Sequence, residues 1–355
     1  MREIICLFGL SILISNGFAF GQAQELPRIY RCVKTEQPLT IDGRAGEAAW
    51  KKARWTKDFV DIESRLKPAP EFRTRIKMLW DENGLYIFAE LEEPHIWAKL
   101  SERDQIIYHD NDFEVFIDPD GDYHNYFELE INALGTAFDL FMNRPYNAGG
   151  RALIGWDIAD LQTGIFADGT INQPDDIDTA WCVEIAIPWK SLQEFAPRRQ
   201  PPQTEDIWRM NFSRVQWETK IVKGKYKKLM NPDSGKPLPE SNWVWSPQGA
   251  INMHLPEKWG YVVFANLPAD TILTIADVDP YFKIKQQLLN LYQQQKDFYK
   301  HRQRYASSLY ELNKQGRSSE NTVLIQATSW QFLISITSED GKRLFIDHEK
   351  RIWME

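Results

Sequence analysis

The sequence predicts an all-β protein: an antiparallel β-sandwich of jelly-roll type, followed by a C-terminal helix and β-hairpin extension. Three features carry that expectation. Between residues 30 and 266, short runs rich in β-branched and aromatic residues recur, separated by Gly, Pro, Asn and Asp. This is the pattern of many short strands joined by turns. Asp81, Glu82, Asn83 and Gly84 place an Asn-Gly pair between two such runs, a strong hairpin signal. Beyond residue 268 the apolar period changes. Ile284, Leu288, Leu291, Tyr292, Phe298, Tyr305, Leu309 and Leu312 recur at three-, four- and seven-residue steps, as on one face of a helix.

The elements follow in order. Residues 75–80 and 85–91 flank the Asn-Gly turn, and a second hairpin runs from Asn111 to Asn132. Further strands are expected over 136–142, 163–166, 180–187, 208–217, 243–245 and 261–264. Helical signals in this region are limited to 45–50 and a turn over 189–195. Residues 143–151 and 223–240 read as long loops, the second crowded with Pro, Lys and Gly. The amphipathic helix is expected over 281–312, with Gly316 as its stop. A terminal hairpin is expected from Trp330 to Ile346 around Asp340 and Gly341. The division is then 1–23, 28–267 and 270–355. The last segment is too small to bury its own apolar stripe unaided, so it should lean on the sandwich or recruit a protein partner.

Residues 1–23 read as a secretory signal peptide. Met1 and Arg2 are a short basic start, residues 4–20 are largely apolar, and Gly21, Gln22 and Ala23 supply small residues around a cut. The apolar run is short for a membrane span of about 20 residues, and no second run of that length follows. The mature protein is expected to be periplasmic or secreted, with no membrane span. Cleavage removes Cys6 and leaves Cys32 and Cys182, which read as buried thiols, a disulfide being the alternative. A net charge of -8 argues against nucleic acid, which calls for a basic face.

The hairpin at 111–132 is the most informative stretch. Alternation puts Phe113, Val115 and Ile117 on one side with Phe127, Leu129 and Ile131. The other side carries Glu114 and Phe116 facing Tyr126, Glu128 and Glu130. A symmetric turn sets Glu114 opposite Glu130. Like charges in that position cost up to about 1 kcal/mol, so a cation, an Arg or a polyhydroxylated ligand should compensate them.

Several segments, in this order, resemble carbohydrate-binding module family 9. They are Ile41-Asp42-Gly43 with Ala48-Ala49-Trp50, Leu79-Trp80-Asp81 with Gly84-Leu85-Tyr86, and Asp112 through Asp118. Then come Glu128 through Asn132, Val183 through Trp189, and Trp208 through Phe212. Trp243 through Pro247, His254 through Glu257, and Trp259-Gly260 close the series. The resemblance spans roughly residues 30–266. It implies a β-sandwich that binds sugar without catalysis, associated with polysaccharide degradation, sometimes with structural calcium. In the family's pattern two Trp sandwich a sugar while an Arg and carboxylates hold its hydroxyls. Here Tyr108 stands where the first Trp would be, and Met253 or His254 near the second. Glu130 replaces the Arg, and Glu114 matches a sugar-binding carboxylate.

The candidate ligand-binding residues are therefore Tyr108, Glu114, Glu130, Arg209, Asn211, Arg214 and His254. Arg with carboxylates and Asn suits sugar hydroxyls, although the same set could be an internal ion-pair network. Asp118, Asp120 and Asp122 are the candidate calcium ligands, because they alternate as oxygen ligands do in a calcium loop. Turn formation alone also explains them, since the distal Glu of that loop is missing. No catalytic residue is assigned. Two alternatives remain: a glycoside hydrolase using Glu114 and Glu130, and a haem-binding sandwich with Met253 or Met142 as axial ligand.

Overall fold

A computed structural model describes residues 25–193, 196, 201–266, 272–313 and 322–355. The expected signal peptide, the far end of the 189–195 turn, the domain boundary near 268 and the helix stop at Gly316 lie outside these residues.

Fifteen strands precede the extension among the described residues, thirteen of them in the sheet that forms the sandwich. The first seven are β1 (Ile29–Lys34), β2 (Val60–Asp61), β3 (Thr74–Trp80), β4 (Gly84–Glu92), β5 (Asp112–Asp118), β6 (Tyr126–Asn132) and β7 (Ala137–Met142). The next four are β8 (Ala152–Leu153), β9 (Gln162–Asp168), β10 (Ala180–Pro188) and β11 (Ile207–Gln216). The last four are β12 (Thr219–Ile221), β13 (Tyr226–Lys228), β14 (Ser241–Val244) and β15 (Gly260–Ala265). Strands β12 and β13 form a separate two-stranded ribbon, of which β13 falls within the segment expected as a loop at 223–240. The others form one continuous curled sheet in the order β8-β7-β6-β5-β11-β15-β1-β3-β4-β10-β9, with β14 also paired to β11 and β2 paired to β14.

The curl brings two faces together. Phe113, Val115, Ile117, Phe127, Leu129 and Ile131 on one side meet Ile76, Met78, Ile87, Leu91, Val183 and Ile185 on the other in a single core. Burying such side chains contributes about 1.5–3 kcal/mol each. Pairing is antiparallel as expected, with one departure. β1 runs parallel to both neighbours, β15 (Ile29 opposite Tyr261) and β3 (Val33 opposite Leu79). Cys32 and Cys182 are buried free thiols.

Three of the sequence segments singled out above meet physically at Glu184. One carboxylate oxygen accepts the backbone N–H groups of Asp42 and Gly43 (3.0 and 3.2 Å), and the other accepts Trp50 Nε1–H at 3.0 Å. Gly43, with φ +83°, lies against Gly164 of β9, where an added Cβ would stand 2.5 Å from the Gly43 nitrogen. Gly164→Ala is accordingly expected to cost about 1–3 kcal/mol through forced backbone movement. Chemical denaturation measures this, and an unchanged midpoint would mean that the loop is not seated there.

The extension contains helices α1 (Ile275–Val278), α2 (Phe282–Arg302) and α3 (Leu309–Asn313). It also carries strands β16 (Thr322–Ala327), β17 (Phe332–Thr337), β18 (Arg343–Asp347) and β19 (Ile352–Met354). Two sequence expectations are corrected. The helix stops at Arg302, with Gln303 in the left-handed region (φ 54°), so Leu309 and Leu312 belong to a separate short helix. The terminal hairpin is the centre of a four-stranded antiparallel sheet, β16-β17-β18-β19. Leu288 and Tyr292 of α2 pack on Phe332, Ile334, Ile336, Leu344, Ile346 and Ile352 of that sheet.

Candidate binding cleft

The register of the central hairpin is the one alternation dictates: Glu114 pairs with Glu130, and Phe116 with Glu128. The face carrying these residues forms the floor of a cleft of about 450 Å³. Loops supply the walls. Ile106 and Tyr108 come from the segment before β5, Tyr146 from the loop after β7, and Ile251 to His254 from the loop between β14 and β15. Phe116, Phe138 and Leu140 continue the floor as an apolar surface. Tyr108 and Tyr146 are exposed, at 37% and 49%, which leaves ring faces available to a ligand.

Glu114, Glu128 and Glu130 are all buried, and each brings a carboxylate oxygen within 4.8 Å of the other two. Burial pushes the Glu114 carboxyl up to about 7. Burial, reinforced by the neighbouring acids, raises Glu128 and Glu130 as well. Glu130 is partly compensated by the Tyr108 backbone N–H, which donates to it at 2.8 Å. Among the described residues, no Lys or Arg lines the cleft. His254 faces Glu128 at 3.6 Å, beyond hydrogen-bond range. Burial lowers its imidazole to about 4, so at neutral pH it is an uncharged ring, 2.9 Å from the Tyr126 hydroxyl and edge-on to Tyr146.

The structure thus gathers Tyr108, Glu114, Glu130 and His254 into one cleft. It does not bring Arg209, Asn211 or Arg214 there. Asn211 is closed off by the chain at Ser246, donating to its carbonyl at 2.9 Å and accepting its N–H at 2.8 Å. Arg209 lies over the Tyr261 ring and donates to the Pro256 carbonyl at 3.0 Å. Arg214 is fully buried against Glu93, with Nη2 3.1 Å from its Oε2. The residues that sequence reasoning missed are chiefly Tyr146, Ile106 and Ile251, all from loops. Met253 lines the cleft, whereas Met142 is buried beneath it in the apolar cluster.

Asp118, Asp120 and Asp122 lie together, an oxygen of each within 4.8 Å of the others. They are also engaged within the turn. Asp118 accepts the N–H groups of Gly121 and Tyr123 at 2.9 and 3.0 Å. Asp122 accepts the His124 N–H at 2.8 Å and Arg351 Nε–H at 2.7 Å. A calcium ion here would share Asp122 with the Arg351 guanidinium, an arrangement that opposes cation binding.

Residues 41–204 match the family described as carbohydrate family 9 binding domain-like. Over that stretch, a little under half of its length, the chain is similar to carbohydrate family 9 binding domain-like proteins. Solved structures similar to it include a carbohydrate binding module family 9 from Caldicellulosiruptor kristjanssonii in complex with cellotriose. That structure is 15% identical, with TM-score 0.42, over 70% of this chain and 99% of that one. The same module in complex with glucose is 15% identical, with TM-score 0.42, over 70% of this chain and 100% of that one. A comparison with curated proteins finds no match. The region matching the family 9 binding domain ends before β11 begins, yet β11 pairs with β5 along its length and supports the cleft floor.

Proposed function

We propose that the protein binds carbohydrate in this cleft without catalysing its hydrolysis, as an exported partner of polysaccharide degradation. The observation that carries the reading is the floor of three carboxyls set among exposed and half-buried rings. Sugar rings present apolar C–H faces and rims of hydroxyls. Tyr108 and Tyr146 offer surfaces for the first. Glu114, Glu128 and Glu130 offer acceptors, and donors while protonated, for the second. A neutral polyhydroxylated ligand would also relieve the Glu114–Glu130 pairing, which the Tyr108 N–H compensates only in part.

The disposition of the acids supports a binding role. Hydrolysis needs one carboxyl held protonated beside one held ionised. Here burial pushes all three upward, and among the described residues no Lys or Arg lines the cleft to hold one of them ionised. Calcium at Asp118, Asp120 and Asp122 is a secondary proposal that rests on the closeness of the three carboxylates and would require Arg351 to release Asp122; the same experiment reads it.

The test is calorimetric titration with mono- and oligosaccharides, cellotriose and glucose included, with and without calcium. Saturable binding is expected, and Tyr108→Ala should weaken it at least about tenfold, or about 1.4 kcal/mol, while circular dichroism stays unchanged. Unaltered affinity in Tyr108→Ala would remove this cleft from consideration. Sugar hydrolysis abolished by Glu114→Gln would replace the binding reading by the dyad alternative.

A further inference from the structure

The turn between β18 and β19, residues 348–351, reaches the sandwich at three places far apart in sequence. At the β5–β6 turn, Arg351 pairs with Asp122, the Ile352 N–H donates to the Asp122 carbonyl at 3.1 Å, and His124 Nε2 lies 2.9 Å from the Glu349 carbonyl. Tyr123 from that same turn is buried in the extension's own core with Leu288, Tyr292 and Phe332. At the loop after β7, Glu349 forms an ion pair with Arg144, two residues before the cleft residue Tyr146. At the loop between β14 and β15, Lys350 Nζ lies 2.6 Å from Glu257 Oε1, three residues beyond His254.

The Lys350–Glu257 pair is unlike a surface contact. Lys350 is only 4% exposed and adopts φ +72°, a conformation uncommon for non-glycine residues. Arg209 grips the same short segment from the sandwich side through the Pro256 carbonyl. The Trp259 indole N–H donates to the Met253 carbonyl at 2.8 Å. The wall bearing Met253 and His254 is therefore clamped on one side by the sandwich and on the other by the extension.

We infer that the C-terminal extension is a built-in positioning element of the cleft, with Lys350 the positioning residue for the His254 wall. This rests on the carbohydrate-binding reading only for the identity of the ligand; the mechanical claim stands on the contacts above. Two of the three loops that the turn holds carry cleft walls. Neither Lys350 nor Glu257 lines the cleft, so any effect of theirs on ligand must pass through the loops.

The experiment uses the full chain and two variants, Lys350→Met and Lys350→Met/Glu257→Met, the second leaving no unpaired buried charge. Two readouts are taken on protein shown folded by circular dichroism. One is the His254 ring-proton resonance, assigned by its loss in His254→Gln, and the other is the Kd for cellotriose. Both variants are expected to move the resonance and to raise Kd about fivefold, the scale of coupling through packed contacts. An unmoved resonance with unchanged Kd in both folded variants overturns the inference. So does a lowered unfolding midpoint alone, which would make Lys350 a stabilising staple. If the parent gives no heat with cellotriose, the carbohydrate reading fails for that ligand, and the resonance still decides the positioning role.

Discussion

Glu114→Gln is expected to make the protein more stable than its parent at pH 8, by as much as about 3 kcal/mol, with the advantage vanishing near pH 4.5. The sign follows from burial. The folded protein holds the Glu114 proton up to about pH 7, against an ordinary value of 4.5. A carboxyl whose folded value is raised contributes stability below its unfolded value and loses it as pH rises through the folded one. Glutamine keeps the shape and carries no charge to desolvate. His254 works in the opposite direction. Its value is lowered from 6.5 to about 4, so its contribution is present above pH 6.5 and lost as pH falls toward 4. In the background of Glu114→Gln, His254→Gln should therefore flatten the remaining acid-side slope. Urea unfolding at pH 4.5, 6 and 8 measures both. Parent and Glu114→Gln profiles that run parallel across that range would show that the Glu114 carboxyl is ionised and solvated, and the closed acidic floor would be wrong.

The second large effect lies away from the cleft. Glu93→Ala is expected to cost about 3–5 kcal/mol, because it leaves the Arg214 guanidinium buried and without its counter-charge. Glu93 is also a hub. It accepts from Asn111 Nδ2 at 3.1 Å, Gln216 Nε2 at 2.9 Å and the His95 N–H at 3.1 Å. The melting temperature should fall by roughly 4–7 °C. Replacing both partners, as in Glu93→Gln/Arg214→Met, should recover much of the loss, since no unpaired charge stays buried and the Gln carbonyl can still accept from the donors around position 93. Sugar affinity in the folded double variant should match the parent. A weakened affinity there, with stability intact, would return Arg214 to the binding site from which its burial removes it.

Arg214 illustrates how far the sequence is legible. Alternation along β11 separates Arg214 from Arg209, Asn211 and Ser213, and the structure keeps that separation. What alternation cannot show is that the chain from Ser246 to Trp259 folds over the Asn211 and Arg209 side of the strand. Those polar groups then serve backbone carbonyls instead of a ligand. The central hairpin was readable in full because its two strands and its Pro-Asp-Gly turn are contiguous, and a half-buried strand fixes its register by pattern. The cleft walls were legible only in part, since Ile106, Tyr146 and Ile251 arrive from loops whose placement depends on distant partners. The extension shows the same limit. Apolar spacing runs on past Arg302 as though the helix continued, but the buried Gln295 side chain captures both the N–H and the carbonyl of Ala306 at 2.8 Å. That tertiary contact fastens the chain after it has turned away from the helix axis.

The parallel seating of β1 has a consequence for the order in which the molecule can be assembled. Ile29 to Val33 find their β15 partners only at Tyr261 to Ala265, and on the other side β1 meets β3 at just Val33 and Lys34. While the chain is being made, its first strand therefore waits with one edge open until more than two hundred further residues have emerged. Contacts this remote in sequence are slow to form, and an open β edge can pair with the wrong chain. Closure of the sandwich should be a late event governed by its far end. Shortening the chain before residue 265 would then remove the partner of its first strand as well as its last.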